Sequence, residues 1–199
     1  MESEGGRVGR VRIGDGERSM GQQQREGEGL TLLVTVGSTQ FAALSDFMVQ
    51  ASTLSALRDL GFAQLTLQHG SHTPTLPAPS ALPPRLQPLR YHPDLRALLR
   101  QAHVIVSHAG AGTVLEAVEA ARPLVVVVND ALLHNHQTEL ADAMHAAGCC
   151  IVVPANQLDR NLIPAIERLL RDDGANRAPP PRVRGVFARI VAEELASSE

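Results

Sequence analysis

Lysine is missing from the sequence altogether, so arginine carries all of its positive side-chain charge. Acidic residues still outnumber basic ones, 21 to 18, for a formal net charge of −3. With no basic excess, the electrostatic footprint of a nucleic-acid-binding protein is excluded. Cysteine is nearly absent. Cys149 and Cys150 are adjacent, and sequence neighbours rarely pair with each other. Neither a disulfide framework nor a metal site is expected, and the usage fits a reducing compartment. No apolar run approaches the roughly 20 residues of a membrane span, and the N-terminus shows no hydrophobic signal-peptide core. Any work at a membrane is therefore expected to go through a partner. A dinucleotide G-x-G-x-x-G is missing too: Gly110-Ala111-Gly112 supplies only its first half, well past the first βα unit.

What is present is a chain of 199 residues, 44% of them hydrophobic, enough for one domain with a real core. It is organised around Val104-Ile105-Val106-Ser107-His108-Ala109-Gly110-Ala111-Gly112-Thr113-Val114-Leu115-Glu116. This reads as a strand, a glycine-rich turn, and a helix starting near Thr113 with Val114, Leu115 and Val118 turned inward. The free N–H groups of that first turn and the positive end of the helix dipole form an anion site. Glu116, one turn on, could take a ribose hydroxyl. Thr113-x-x-Glu116 also fits a capping box, which needs no ligand.

Residues 1–29 are polar and rich in Gly, Glu, Arg and Gln, and are expected to be a flexible tail. The domain is expected over residues 30–172. Leu30 to Val36 reads as a central strand ending in the turn Gly37-Ser38-Thr39. Leu44, Phe47, Met48, Ala51, Leu54 and Leu57 then follow at helical spacing, with Gly61 as the stop. A short strand covers Gln64 to Gln68. His69 and His72 at its end have no third ligand spaced with them, so no metal is expected. Residues 74–88 are proline-rich and read as a loop. A strand follows near Leu89 to Tyr91, then a helix through Gln101 with Pro93 in its first turn. Pro123 to Val128 is a strand buried on both faces. The polar cluster of Asn135, His136, Gln137 and Glu139 opens a helix through Ala147. Cys149 to Val153 is a strand and Leu162 to Leu170 a helix. Residues 173–199 read as a linker and an amphipathic helix with Val183, Val186, Phe187, Ile190 and Val191 on one face.

Alternating strands and helices predict an α/β fold, a Rossmann-like, doubly wound, mainly parallel sheet. Polar clusters fall just after three strands: Gly37 to Thr39, Ser107 to Thr113, and Asn129 to Glu139. In this fold such ends form one ligand crevice.

Four blocks in fixed order carry a family resemblance: Thr35-Val36-Gly37-Ser38-Thr39-x-Phe41; Val104 through Glu116; Pro123-Leu124-Val125-Val126-Val127-Val128-Asn129; and Asn135-His136-Gln137-x-Glu139-Leu140-Ala141. With them the chain resembles the cytosolic catalytic subunit of the two-subunit UDP-N-acetylglucosamine transferase of asparagine-linked glycosylation. It is also similar to the donor half of the bacterial lipid-linked peptidoglycan GlcNAc transferase, a two-domain GT-B enzyme. The resemblance implies a single donor-binding half of a GT-B fold, with UDP-GlcNAc as donor substrate and no cofactor. It implies GlcNAc-diphosphodolichol as acceptor, transfer with inversion, and a membrane-anchored acceptor-binding partner met through the C-terminal helix. It further implies a cytoplasmic protein recruited to the cytosolic face of the endoplasmic reticulum membrane.

By the same resemblance, Gly37, Ser38 and Thr39 face the donor diphosphate together with Ser107, His108, Ala109, Gly110, Gly112 and Thr113. Glu116 matches the ribose-binding acid, and His92 lies in the uracil-contacting loop. Asn135, His136 and Gln137, with Glu139 beside them, match the sugar-contacting cluster. The stretch from Pro74 to Pro88 and the N-terminal tail depart from the family pattern. No catalytic base stands out: His108 lies in the right turn, but a histidine there equally caps the helix or binds phosphate, and the base is expected on the partner. Two other classes stay open, a non-catalytic UDP-sugar or nucleotide-binding module and an NAD-linked oxidoreductase, the latter disfavoured by the missing fingerprint.

Overall fold

The computed structural model describes residues 29–78, 84–129 and 135–172, with the side chains of 135–139 outside that description. Its strands are β1 (Leu30–Thr35), β2 (Phe62–Gln68), β3 (Arg85–Leu89), β4 (Val104–His108), β5 (Leu124–Val128) and β6 (Ile151–Pro154). They form one sheet in the order β3-β2-β1-β4-β5-β6, every pair parallel. The helices are α1 (Ala42–Met48), α2 (Ala51–Asp59), α3 (Leu95–Gln101), α4 (Ala111–Glu119), α5 (Asn135–Ala146) and α6 (Leu158–Arg171).

Successive side chains of a strand point to opposite faces, and the central strands bury both. Leu32 and Val34 of β1, Leu65 and Leu67 of β2, and Val104 and Val106 of β4 join a core closed by α1, α2 and α6. Leu33, Ile105, Leu124 and Val126 enter a second core under α3, α4 and α5. Each such buried aliphatic side chain contributes about 1.5–3 kcal/mol. Two-sided burial is why β1, β4 and β5 read as apolar runs instead of alternating ones. The chain leaves β1 towards β2 and leaves β4 towards β5, in opposite directions across the sheet. The gap between the C-terminal ends of β1 and β4 is therefore the topological switch point.

Several element boundaries differ from the sequence reading. The helix expected from Leu44 to Leu57 is two, because Gln50 is extended (φ −64°, ψ 142°) and restarts the chain as α2. Gly61 ends α2 at φ 88°, a conformation open to glycine. The third strand lies earlier than expected, at Arg85–Leu89, overlapping the proline-rich stretch. Parallel pairing with Gln64–Gln68 fixes its register, and Pro88 is tolerated because β3 is an edge. Pro93 precedes α3 instead of joining its first turn: Asp94 is the N-cap, its carboxylate accepting from the Ala97 amide at 2.9 Å. Cys149 and Cys150 are buried but precede β6. The last helix begins at Leu158 and accommodates Pro164 internally. The expected tail and the expected C-terminal helix with Val183, Val186, Phe187, Ile190 and Val191 lie outside the described residues.

Candidate functional site

The three expected clusters follow strands at one edge of the sheet, and two of them meet at the switch point. β1 ends in a turn where Gly37 has φ 64°. A Cβ built on Gly37 would stand 2.8 Å from Cε1 of His108 and 3.5 Å from Oγ1 of Thr113. Both turns are thus packed on one imidazole. On the far side, a Cβ on Gly110 would collide with the same ring. Gly37 and Gly110 are glycine here because His108 occupies the space a side chain would need. A small cleft of about 30 Å³ opens beside these turns, lined by Thr39, Gln40, Phe41, His108, Ala109, Val127 and Asn129.

Backbone donors converge on this edge. The N-cap of α4 is Gly110, without a side-chain cap, and the first helical bond runs from Val114 N to Gly110 O. The amides of Ala111, Gly112 and Thr113 therefore make no hydrogen bond among the described residues. Gly112 is exposed with open space around it. The capping-box reading fails, because Thr113 sits inside the first turn and not at the cap. α1 likewise begins uncapped at Phe41. By contrast, the N-terminus of α3 is already filled by Asp94. Two helix starts with free N–H groups and positive dipole ends flank one cleft, an arrangement that attracts an anion such as a phosphate.

His108 is 8% exposed and its Nδ1 makes no hydrogen bond among the described residues. Burial pushes its pKa below the ordinary histidine value, opposed only by the Thr35 backbone, so the ring is neutral at pH 7. A neutral imidazole beneath the turns can donate to one oxygen without competing positive charge. Ser107 is fully buried, its hydroxyl donating to the His108 carbonyl at 2.8 Å. That makes it part of the strand end and not of the crevice surface.

Glu116, on α4, is 28% exposed and accepts from Arg96 Nε on α3 at 3.0 Å. The pair ties α4 to the segment entering α3. In that segment His92 Nδ1 accepts from the Asp94 amide at 3.1 Å. The loop with His92 and the helix with Glu116 are therefore neighbours through Arg96. Asn135, His136, Gln137 and Glu139 open α5, and their side chains lie outside the described residues. His72 does not stand free for a metal: Nε2 is 2.8 Å from Asp46. Among the described residues no group of three or more His, Cys, Asp or Glu is arranged to hold a metal ion.

Sequence reasoning missed Arg96 and Gln68. Gln68 is 3% exposed at the end of β2 and bonds to Thr35, to both backbone groups of Gly37, and to the Arg90 carbonyl. The available signal was a glutamine closing a strand directly before His69-Gly70. Arg96 had none, because its partner is on another helix.

A larger cavity, about 470 Å³, lies at the opposite edge of the sheet and includes Thr31, Gln64, Thr66, Leu98, Gln101 and Arg122 in its lining. Size does not make it the better anion site. It is bounded by the C-terminal turn of α3, whose carbonyls carry the negative end of the helix dipole, and its cations, Arg100 and Arg122, are on side chains and not on preorganised backbone N–H groups.

The profile of the glycosyltransferase family 28 C-terminal domain matches residues 31–194. The chain belongs to this family. It is similar to the UDP-N-acetylglucosamine transferase subunit ALG13 of Mus musculus, 43% identical over 116 residues, which are 58% of this chain and 10% of that protein. The chain thus spans about a tenth of the length of the mouse relative. The ALG13 subunit of Yarrowia lipolytica is 33% identical over 170 residues, 84% of this chain and 85% of that one. Among solved structures, the glycosyltransferase SnogD from Streptomyces nogalater superposes with a TM-score of 0.56 and 26% identity, over 87% of this chain and 44% of that chain. This is the Rossmann-like, parallel-sheet half of a GT-B glycosyltransferase, as the family resemblance implied.

Proposed function

We propose that the chain is the donor-binding subunit of a transferase that moves GlcNAc from UDP-GlcNAc to GlcNAc-diphosphodolichol with inversion, acting with a membrane-anchored partner at the cytosolic face of the endoplasmic reticulum. The observation that carries this reading is that the Gly37 turn and the Gly110 turn, which leads into the uncapped N-terminus of α4, pack on one buried imidazole, His108, at the switch point. The names of the relatives supply the donor.

In this reading the diphosphate lies across the amides of Ser38, Thr39, Gly112 and Thr113, with His108 beneath. Glu116 holds the ribose, the loop at His92 meets the base, and Gln137 with Asn135, His136 and Glu139 meets the sugar. The chemistry asks two things of the protein. The leaving UDP needs its growing negative charge stabilised, and oriented backbone dipoles do this without reorganising. No metal or other cofactor is invoked. The acceptor hydroxyl needs a base within hydrogen-bond reach. His108 lies behind the turns, so the base is assigned to the partner. The described crevice has one wall, and the acceptor half supplies the other. No helix among the described residues is long and apolar enough to cross a membrane. A lipid-linked acceptor lies at a membrane, and this reading brings in a membrane-anchored partner with the face of Val183, Val186, Phe187, Ile190 and Val191 as its contact.

The test is a transfer assay with UDP-GlcNAc and a lipid-linked GlcNAc acceptor, with and without candidate membrane partners, beside calorimetric titration of UDP-GlcNAc. Binding by the chain alone and transfer only with a partner are expected. Binding without transfer under any pairing would make the chain a UDP-sugar-binding module. Absence of binding would remove the donor assignment.

A further inference from the structure

We propose that Gln68 is a positioning residue for the diphosphate turn, its amide holding both backbone groups of Gly37 inward so that the Ser38 and Thr39 amides face the ligand. This rests on the reading that the crevice takes a nucleoside diphosphate.

The whole hydrogen-bonding capacity of the Gln68 amide is spent on this turn and its surroundings. Oε1 accepts from Thr35 Oγ1 at 2.5 Å and from Gly37 N at 3.0 Å. Nε2 donates to Gly37 O at 2.7 Å and to Arg90 O at 2.9 Å. Two acceptor sites and two N–H donors are what a primary amide offers. A glutamate could not donate to two carbonyls. An apolar side chain would leave the Gly37 and Arg90 groups without these partners. The residue type is therefore dictated by the turn.

The consequence is a turn with a definite polarity. Gly37 O goes to Gln68, Thr39 O accepts from Ser71 N at 3.3 Å, and Val36 O accepts from Thr39 Oγ1 at 2.8 Å. Gly70 packs so closely behind that a Cβ there would collide with the Thr39 carbonyl. The carbonyls are drawn into the protein. Gly37 N–H is consumed as well, so it is not a phosphate donor. Ser38 and Thr39 are exposed, and their amides make no hydrogen bond among the described residues. Successive outward N–H groups next to a residue at positive φ form a concave anion seat. Through Arg90 O the same glutamine anchors the strand end that leads into Tyr91 and His92. One side chain thus fixes the diphosphate turn relative to the loop assigned to the base.

The test compares wild type with Gln68→Met, neutral and near in volume, by calorimetric titration of UDP and of uridine. Amide shifts of Gly37, Ser38 and Thr39 are followed by NMR during UDP addition. In wild type, Ser38 and Thr39 should shift most, and the Gly37 amide should be protected from exchange. In Gln68→Met, UDP affinity should fall by more than about tenfold and uridine affinity by less than about threefold. If that variant does not fold, Thr35→Ser keeps the hydroxyl that donates to Oε1 and accepts from Gly37 N, whereas Thr35→Val removes both bonds; Thr35→Val alone should show the same UDP-selective loss at smaller size. Equal losses for UDP and uridine, or unchanged UDP affinity in a folded variant, would overturn the positioning role. So would a Gly37 amide that responds most to UDP. Wild type failing to bind UDP at all would instead overturn the diphosphate reading beneath it.

Discussion

At one edge of the sheet, β1 and β4 run out into glycine turns, two helices begin without caps, and a histidine is buried between the turns. At the other edge, β1 and β2 begin beside the end of α3, around a cavity of about 470 Å³ against about 30 Å³ at the first. The roomier edge carries its positive charge on the side chains of Arg100 and Arg122, beside the negative end of α3; the smaller one offers fixed backbone N–H groups. Parallel strands and their crossover helices share one polarity, so N–H groups collect where strands end and carbonyls where helices end. In the proposed reading a second wall closes the crevice, and volume measured at one wall is then a weak guide. Backbone direction does not depend on a partner.

The largest effect should come from Gly110→Ala. Its Cβ must displace the His108 imidazole, which is enclosed by Gly37 on its other side. Overpacking of this kind costs about 1–3 kcal/mol. Because the displaced ring disturbs both turns, UDP affinity should fall by more than about a hundredfold, or roughly 2.8 kcal/mol. Titration at a temperature where the melting curve shows the variant folded makes the measurement. Retained affinity would mean that the C-terminal edge is not the ligand edge.

Glu116→Ala should come next. With the capping box excluded, the stability lost is that of a solvent-screened ion pair to Arg96 and should be small. UDP affinity should fall about tenfold, while 2′,3′-dideoxy-UDP, which offers no ribose hydroxyls, should bind both forms alike. A uniform loss for the two nucleotides would take Glu116 away from the ribose.

These two residues show what the sequence discloses and what it does not. Gly110 and Glu116 could be read because each belongs to one contiguous strand-turn-helix block. The parallel sheet was readable because buried strands leave apolar runs. Strand order, and with it the meeting of Gly37 with His108, comes from contacts far apart in sequence. Gln68 and Arg96 escaped for the same reason, each defined by partners on other elements. The cap of α3 was misplaced because Pro93 favours a helix start, while the Asp94 carboxylate supplied the stronger local bond. The division of the first long helix at Gln50 has no sequence signal that we recognise.

A smaller effect is expected from pH. Burial lowers the His108 pKa in the folded state, below an unfolded value of about 6.5. Between these two values the unfolded chain binds more protons, so stability falls as pH drops from about 6.5 towards the folded value. His108→Gln removes this contribution. Melting curves from pH 8 to 5 should show a shallower acid decline for the variant. Parallel declines would mean that His108 titrates alike in both states, and the edge would lose its buried neutral ring.

The smallest effect on stability belongs to the pair of variants that tests the comparison as a whole. Gln101→Trp places a bulky ring at the mouth of the larger cavity, at an exposed position at the end of α3. Ser38→Trp places the same ring in the exposed turn at the other edge. Neither replaces a core residue, so each should change stability by no more than about 0.5 kcal/mol. If backbone polarity locates the ligand, Gln101→Trp should leave UDP affinity within about twofold of wild type, whereas Ser38→Trp should reduce it more than about tenfold. Using one substituent at two sites separates position from bulk. A loss confined to Gln101→Trp would place the nucleotide in the roomier cavity, and the argument from helix ends would then have chosen the wrong edge.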